Sequence, residues 1–338
     1  MFKKYLSLIL ILILIWGQAA CAPVTYGSAL RPLSMDETIR RLCWDLSLGE
    51  DEYEQLRELG FTVTDKLGEG SFFIAYLARN DAQKTGIEDQ FVVIKLAVSD
   101  LLKGDPVNPQ DIMADYERLG RHENVIHIHR AAMLDEDTMY MVEEYYNGTK
   151  LKDELEGRGL LSGNTADILL RKIKIAGQVW RALHYMHGKG VYHGDLSVSR
   201  GNIMIDEDLN VKLLDRIYVH PPGQVSSELD RRHIYYKTLS DEQKRLLDIT
   251  LFSLVLTEMF AGGLRYHGDG VDFSEMKERI TKKNPVLSDA EAELLAGLIV
   301  GLRYGPEKVS EQNAADVFTA LSAKHGGSGN FRRRQSAI

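Results

Sequence analysis

The stretch VYHGDLSVSRGNIMIDEDLNVKLLD, which runs from Val191 to Asp215, decides the fold of this chain. Its two apolar runs begin at Asn202 and Val211 and are separated by turn-forming residues, so they are predicted to form a β-hairpin. The hairpin would present Asn202 and Asp215 at one end, where an amide oxygen and a carboxylate can jointly bind Mg²⁺. Asp195 lies beside a turn just before the hairpin, where its carboxylate can accept the proton of a hydroxyl group. Asp and Asn are also common turn residues, so this stretch needs support from other motifs.

Two motifs earlier in the chain supply that support. The segment LGEG, residues 67–70, lies between two runs that alternate apolar and polar residues, and it predicts a hairpin whose glycine amides can approach phosphate groups closely. The run FVVIKLAV, residues 91–98, predicts a strand with one charge, Lys95, in its middle. A lysine in such a strand needs an anionic partner, and the phosphates of a nucleotide supply one.

The glycine-containing loop, the strand lysine, the His-x-Asp triplet, the asparagine and the second aspartate occur in this order along one chain. In these motifs and in their order, the sequence resembles protein kinases. The resemblance covers roughly residues 61–321 and implies a two-lobed, protein-kinase-like α+β fold, with a β-rich N-lobe and a mainly helical C-lobe.

The resemblance also implies roles for individual residues. Lys95 would orient the α- and β-phosphates of ATP, and Asp195 would be the catalytic base toward the acceptor hydroxyl. Asn202 and Asp215 would hold Mg²⁺, or Mn²⁺ in its place, with Asn202 also counted as catalytic. The remaining nucleotide-binding residues that it implies are Leu67, Gly68 and Gly70 in the loop, Glu144 and Tyr145 in the hinge, and Glu117.

Three supporting segments resemble kinase elements. Residues 138–155 resemble the strand and hinge of protein kinases, with Glu143 at a gatekeeper-like position. Apolar residues at helical spacing predict a core helix from Ile175 to Gly190. A nearly all-apolar helix is predicted from Asp248 to Gly263; it is too short to span a membrane and resembles the buried central helix of the C-lobe. The resemblance implies that Asp248, at its start, braces the catalytic loop.

The sequence departs from the kinase pattern in the catalytic loop. Asn202 follows Asp195 by seven residues where active protein kinases usually have five, so the loop is two residues longer. Ser197 stands where the family has a lysine, and either Arg200 replaces that cation or it is a surface residue. The motif after the hairpin reads Asp215-Arg216-Ile217, which keeps the metal ligand and loses the flexible glycine.

The carboxylate partner that protein kinases supply to the strand lysine from an N-lobe helix is not fixed by spacing. Glu117 and Asp115, in the segment DIMADYERLGRH, are the two candidates, and we favour Glu117. Either residue could instead belong to the solvated face of a helix.

Three functions are compatible with these motifs. The resemblance favours a Ser/Thr-type protein kinase that uses ATP and acts on a protein substrate. The alternative is a small-molecule or glycolipid (sugar) kinase with a saccharide or lipid acceptor, because HGDL loops are characteristic of aminoglycoside phosphotransferases. A nucleotide-binding pseudokinase is disfavoured, because the residues that catalysis needs are all present. The net charge of −8 argues against a nucleic-acid partner.

The N-terminus resembles an export signal. Lys3 and Lys4 precede an apolar stretch, residues 5–16, which has the length of a signal-peptide core and is short for a membrane span. Cys21 follows small residues as in a bacterial lipobox, so a lipidated Cys21, simple cleavage and an uncleaved anchor stay open. We therefore expect an exported protein that is either secreted or attached to a membrane as a lipoprotein.

The composition, with 44% hydrophobic and 27% charged residues, is that of a globular protein, and 338 residues suffice for one two-lobed domain with extensions. The predicted segments are a leader at residues 1–21, an N-terminal helical extension at 22–60, a kinase N-lobe at 61–145, a kinase C-lobe at 146–325 and a disordered basic tail at 326–338.

Overall fold

The computed structural model describes residues 35–70, 73–97, 108–157, 159–216, 236, 238–262 and 272–326. The chain divides into two compact units, residues 1–50 and residues 51–338. The predicted leader with Cys21 and the basic tail beyond Gly326 lie outside the described residues. Within the described ranges, no helix combines the length and the hydropathy that crossing a membrane requires.

The first unit contains helix α1 (Met35–Leu46). Cys43 and Leu46 are buried on one face of this helix, since residues three apart lie on the same side. The backbone N–H of Leu48 donates a 2.9 Å hydrogen bond to the carbonyl of Cys43 and closes the helix end. Helix α2 (Glu50–Glu58) follows directly. Both helices lie in the segment that the sequence predicts to be helical.

The N-lobe is built on a five-stranded antiparallel sheet with the strand order β1-β2-β3-β5-β4. Its strands are β1 (Phe61–Glu69), β2 (Phe73–Asn80), β3 (Phe91–Ala97), β4 (Ile128–Met133) and β5 (Met139–Glu144). Strand β3 is central, and its β-branched residues Val92 and Ile94 are fully buried. Helix α3 (Ala82–Thr85) connects β2 to β3, and helix α4 (Pro109–Leu119) lies between β3 and β4 in the chain.

The C-lobe is mainly helical. Its helices are α5 (Leu151–Glu156), α6 (Ala166–Gly188), α7 (Asp241–Ala261), α8 (Phe273–Lys283), α9 (Asp289–Tyr304) and α10 (Glu311–Gly326), with a 3₁₀ turn at Pro306–Lys308. The long helices α6 and α7 form the centre of the core, where Trp180 stacks on Phe252 with ring centroids 5.2 Å apart. A small sheet of β6 (Thr149–Lys150), β7 (Ile203–Ile205) and β8 (Val211–Leu213) completes the lobe.

The predicted α+β fold of two lobes is confirmed. The hairpin predicted from the first-quoted stretch is present, because β7 and β8 pair antiparallel with Ile203 opposite Leu213. The core helix predicted from Ile175 to Gly190 is the second half of α6. That helix begins earlier, where the side chain of Thr165 accepts a hydrogen bond from the N–H of Ile168.

The start of the central helix α7 differs from the prediction. The sequence placed Asp248 at its beginning, but the helix begins at Asp241, so Asp248 lies inside it. Ser240 and Gln243 form a capping box, in which each side chain accepts from the other residue's backbone N–H. This box satisfies the first amides and lets the helix start two turns earlier.

Candidate active site

A cavity of about 600 Å³ lies between the five-stranded sheet and the C-lobe. Its walls include every predicted site residue except Glu117, namely Leu67, Gly68, Gly70, Lys95, Glu144, Tyr145, Asp195, Asn202 and Asp215. The apolar side chains of Val93 and Met204 also line it, so the lining combines apolar and charged groups. Pockets with apolar walls and a few convergent polar groups are typical of small-molecule sites.

Lys95 is the buried cation of this cavity. Its Nζ lies 2.9 Å from Oε1 of Glu143 on β5 and contacts the carboxylate of Asp215. Burial alone would lower the pKa of Lys95, but the Asp215 and Glu143 carboxylates outweigh it and raise that pKa above its usual value. Lys95 is therefore charged over the physiological pH range.

The prediction that Glu117 pairs with Lys95 is wrong. Glu117 lies exposed on α4, while the carboxylate that contacts Lys95 from the sheet is Glu143. The other candidate, Asp115, pairs with Arg118 and Arg216. The sequence placed Glu143 next to the hinge but did not assign it to the site.

Two side chains organise the catalytic loop. Arg200 Nη1 lies 2.8 Å from Oδ1 of Asp195, so the predicted base is held by a cation from its own loop. Asn202 is buried, accepts a 2.9 Å hydrogen bond from the N–H of Ser197 at Oδ1, and donates from Nδ2 to the carbonyl of Asp195. The longer loop is thus closed internally by Asn202, and the left-handed conformation of Gly201 (φ 74°) completes the turn.

Asp215 is positioned by the strand pairing that precedes it. The N–H of Leu214 donates a 2.9 Å hydrogen bond to the carbonyl of Asn202, which brings the two predicted metal ligands to the same end of the hairpin. Asp215 adopts a left-handed backbone conformation with φ of 53°, which aspartate tolerates better than most residues. The next residue, Arg216, pairs with Asp115 and lies over the ring of Tyr116, 5.4 Å from its centroid.

Asp248 supports the backbone just before the base. Its carboxylate is fully buried and accepts hydrogen bonds from the N–H groups of His193 (2.8 Å) and Gly194 (2.7 Å). Nε2 of His187 lies 2.9 Å from the same carboxylate. This contact agrees with the brace that the resemblance implies.

The two predicted hinge residues, Glu144 and Tyr145, have different surroundings. The Glu144 carboxylate is engaged by Lys212 Nζ (2.5 Å) and by the N–H of His127 (3.0 Å), so it is committed to contacts within the protein. Tyr145 is exposed at the cavity. A ligand in the cavity would therefore meet the hinge mainly through its backbone.

The donor groups fit a Mg²⁺-bound polyphosphate. In the described part of the chain, no three His, Cys, Asp or Glu residues cluster as a self-contained metal site. Mg²⁺ is commonly held by one or two protein oxygens together with phosphates and water, which Asp215 and Asn202 can provide. Lys95, Arg200 and Lys150 add positive charge around the same cavity. Lys150 was not predicted, and its place opposite β7 could not be inferred before the small sheet was known.

The two lobes and the residues around the cavity are arranged as in a protein kinase domain, and comparisons with known proteins agree. Residues 61–216 match the family described as "Protein kinase domain". Residues 61–216 are thus similar in sequence to a protein kinase domain, and the fold is that of protein kinases.

The similar proteins are kinases from plants and a bacterium. CBL-interacting protein kinase 1 of Oryza sativa subsp. japonica is 30% identical over 174 residues, which are 49% of this chain and 34% of that protein. CBL-interacting protein kinase 5 of the same plant is 29% identical over 304 residues, covering 77% of this chain and 60% of that protein. The chain thus spans between a third and three fifths of the length of these relatives. The solved kinase domain of Mycobacterium tuberculosis PknI has the same fold, with a TM-score of 0.53 and 17% identity over 78% of this chain and 96% of that domain.

Proposed function

We propose that this chain is an ATP-dependent Ser/Thr protein kinase, which transfers the γ-phosphate of ATP to a hydroxyl group of a protein substrate. The observation that carries the proposal is the convergence of Lys95, Asp195, Asn202 and Asp215 on one cavity between the lobes. Kinases among the similar proteins support a protein acceptor.

The proposed chemistry assigns one task to each group. Lys95 binds the α- and β-phosphates, and the loop amides at Gly68 and Gly70 cover them. Asp215 and Asn202 would hold Mg²⁺, whose charge neutralises the β- and γ-phosphate oxygens when it is bound.

The transfer itself depends on Asp195. The acceptor oxygen attacks the γ-phosphorus, the bond from that phosphorus to the bridging oxygen of ADP breaks, and Asp195 takes the hydroxyl proton. Arg200 lies against the Asp195 carboxylate, so its guanidinium can orient that carboxylate and stabilise the transferring phosphate.

Two alternative functions would use the same cavity. A small-molecule or glycolipid kinase would need the same four residues with a saccharide or lipid hydroxyl as the acceptor. A pseudokinase would bind nucleotide without turnover, and the presence of the complete group of four residues argues against it.

The decisive experiment compares the purified wild-type chain with Asp195→Asn. We expect mass spectrometry after incubation with Mg²⁺-ATP to show phosphoserine or phosphothreonine on the chain itself or on an added protein. Asp195→Asn should lower the rate by roughly 10²- to 10⁴-fold, the usual contribution of a general base, while Mg²⁺-ATP still raises its melting temperature. Asp208→Asn, at an exposed turn of the hairpin, is the matched control.

Each other outcome overturns the proposal. Phosphate transfer to saccharides and never to protein would replace it by the alternative kinase. Nucleotide binding without any transfer would identify a pseudokinase. Equal rates for Asp195→Asn and wild type would remove the assigned base.

A further inference from the structure

Lys95 and Glu143 are neighbours on one face of the sheet. Strands β3 and β5 pair antiparallel with Val93 opposite Glu143 and Lys95 opposite Met141. Because side chains alternate between the two faces of a strand, Val93, Lys95 and Glu143 share a face, and Lys95 lies diagonally across from Glu143. The sheet register therefore brings these two side chains together.

The contact between Lys95 and Glu143 is close and shielded from water. Both carboxylate oxygens of Glu143 lie 2.9 Å from Lys95 Nζ. The side chains of Lys95 and Glu143 are only 9% and 2% exposed. A buried ammonium without an anionic partner is strongly destabilised, so the alignment of Lys95 depends on the carboxylates around it.

Helix α4 does not supply this partner. Glu117 on α4 is exposed, and Asp115 on α4 pairs with Arg118 and with Arg216. Lys95 thus has one acidic partner from the sheet, Glu143, and one from the end of the hairpin, Asp215.

The two carboxylates that contact Lys95 differ in their other proposed roles. Asp215 also serves the proposed metal site, and its carboxylate would be shared with that site during turnover. Glu143 is buried in the sheet, and its contact with Lys95 does not involve Asp215. If the Asp215 carboxylate binds Mg²⁺, Lys95 still has Glu143 as an anionic partner.

We infer that Glu143 is the positioning residue for Lys95, and that the alignment of the nucleotide-binding lysine is built into the sheet and does not depend on the position of helix α4. The inference rests on the proposed function, since it assumes that Lys95 binds the phosphates. Movement of α4 would then leave the lysine in place.

The test compares four variants in steady-state phosphotransfer and in Mg²⁺-ATP binding by calorimetry. Glu143→Gln keeps the shape and removes the charge, and we expect it to lower kcat/KM for ATP by about tenfold or more, with part of the loss in Mg²⁺-ATP binding. Glu117→Gln tests whether Glu117 on α4 is instead the partner of Lys95. Glu136→Gln, in the exposed β4–β5 turn, is the matched control, and both of these variants should stay within about twofold of wild type. Lys95→Met removes the lysine itself.

A double-mutant cycle separates positioning from a general structural effect. If Glu143 acts through Lys95, Glu143→Gln should weaken Mg²⁺-ATP binding in the wild-type background and have little further effect in the Lys95→Met background. Additive losses in the two backgrounds would overturn the inference.

A failure of the inference can be distinguished from a failure of the proposed function. Unchanged ATP binding and activity in Lys95→Met would remove the proposed function. A loss in Lys95→Met that Glu117→Gln reproduces and Glu143→Gln does not would overturn only the inference. Should Glu143→Gln not fold, Glu143→Asp keeps the charge but shortens the side chain, and we expect kcat to fall about threefold; kinetics equal to wild type would overturn the inference.

Discussion

The Asp248 carboxylate accepts a 2.7 Å hydrogen bond from the backbone N–H of Gly194, the residue before the proposed base. Asp248 belongs to the buried helix α7, and Gly194 has the left-handed conformation (φ 75°) that glycine adopts without strain. The contact links the centre of the C-lobe core to the catalytic loop. The orientation of Asp195 therefore depends on a carboxylate that does not touch the cavity.

Replacing Asp248 by asparagine should destabilise the protein. His193 and Gly194 donate to different oxygens of Asp248, so the amide would place an N–H donor against the backbone N–H of one of them. We expect the free energy of unfolding to fall by about 2–4 kcal/mol, because a buried group is left unpaired. Urea denaturation measures this change. The control is Asp241→Asn in the exposed first turn of α7, for which the change should stay below about 1 kcal/mol. Equal stability of the two variants would contradict the brace.

The contact between Arg200 and Asp195 predicts a graded effect on catalysis. Arg200→Ala should lower kcat by roughly 10- to 100-fold and change KM for ATP less, because the guanidinium holds the base and faces the transferring phosphate. The kcat of Arg200→Lys should lie between those of wild type and Arg200→Ala, since lysine keeps the charge and loses the planar donor fork. Steady-state kinetics with varied ATP gives both constants.

The control for this prediction is Arg181→Ala, at an exposed position on α6. It should match wild type in both kcat and KM. If Arg200→Ala also behaves like wild type, Arg200 is a surface residue and Asp195 is oriented by other contacts.

The part of the site that lies within single motifs could be predicted from the sequence. The hairpin was predictable because apolar runs and turn residues specify it locally, and its pairing then brings Asn202 and Asp215 to one end. Lys95 was recognisable because a single charge in the middle of a β-branched strand is conspicuous. The start of α7 was missed, although the Ser240-x-x-Gln243 pattern is a recognisable capping box.

The part that depends on pairing between distant segments could not be predicted. Glu143 contacts Lys95 only because β3 and β5 are adjacent with one particular register, and no local pattern determines that register. The resemblance predicts the partner on helix α4, but Glu117 on that helix is exposed.

Gly201, in the lengthened catalytic loop, should not tolerate a side chain. Its φ of 74° lies in the left-handed region, and an added Cβ would come within 2.7 Å of Lys150 Cδ. The lysine chain is flexible, so most of the cost comes from the backbone, and Gly201→Ala should lower the free energy of unfolding by about 1–2 kcal/mol.

Chemical denaturation of Gly201→Ala beside Gly188→Ala tests this expectation. Gly188 ends helix α6, and an added Cβ there meets nothing within 4 Å, so its substitution should be neutral or slightly stabilising. Similar effects of the two substitutions would show that the loop conformation is not strained by a side chain.

Glu291 should make stability depend on acid pH. Its carboxylate on α9 accepts hydrogen bonds from the N–H (2.7 Å) and the hydroxyl (2.5 Å) of Ser288, and His325 Nε2 at the end of α10 lies 2.9 Å away. Burial would raise the pKa of Glu291, but these hydrogen bonds and Lys324 outweigh it and lower that pKa from 4.5 to about 2. The ionised form is therefore favoured in the folded state.

The sign of the effect follows from this lowered pKa. A carboxyl group whose pKa is lower in the folded state stabilises fully above its unfolded pKa of about 4.5, and the stabilisation is lost as the pH falls toward about 2. We expect Glu291→Gln to lower the free energy of unfolding by about 2 kcal/mol at pH 7, with the difference from wild type shrinking steadily between pH 4.5 and pH 3. Denaturation curves over that range, with Glu293→Gln on the exposed side of α9 as the control, measure it. A difference that stays constant with pH would mean that Glu291 stabilises by packing and not by its charge.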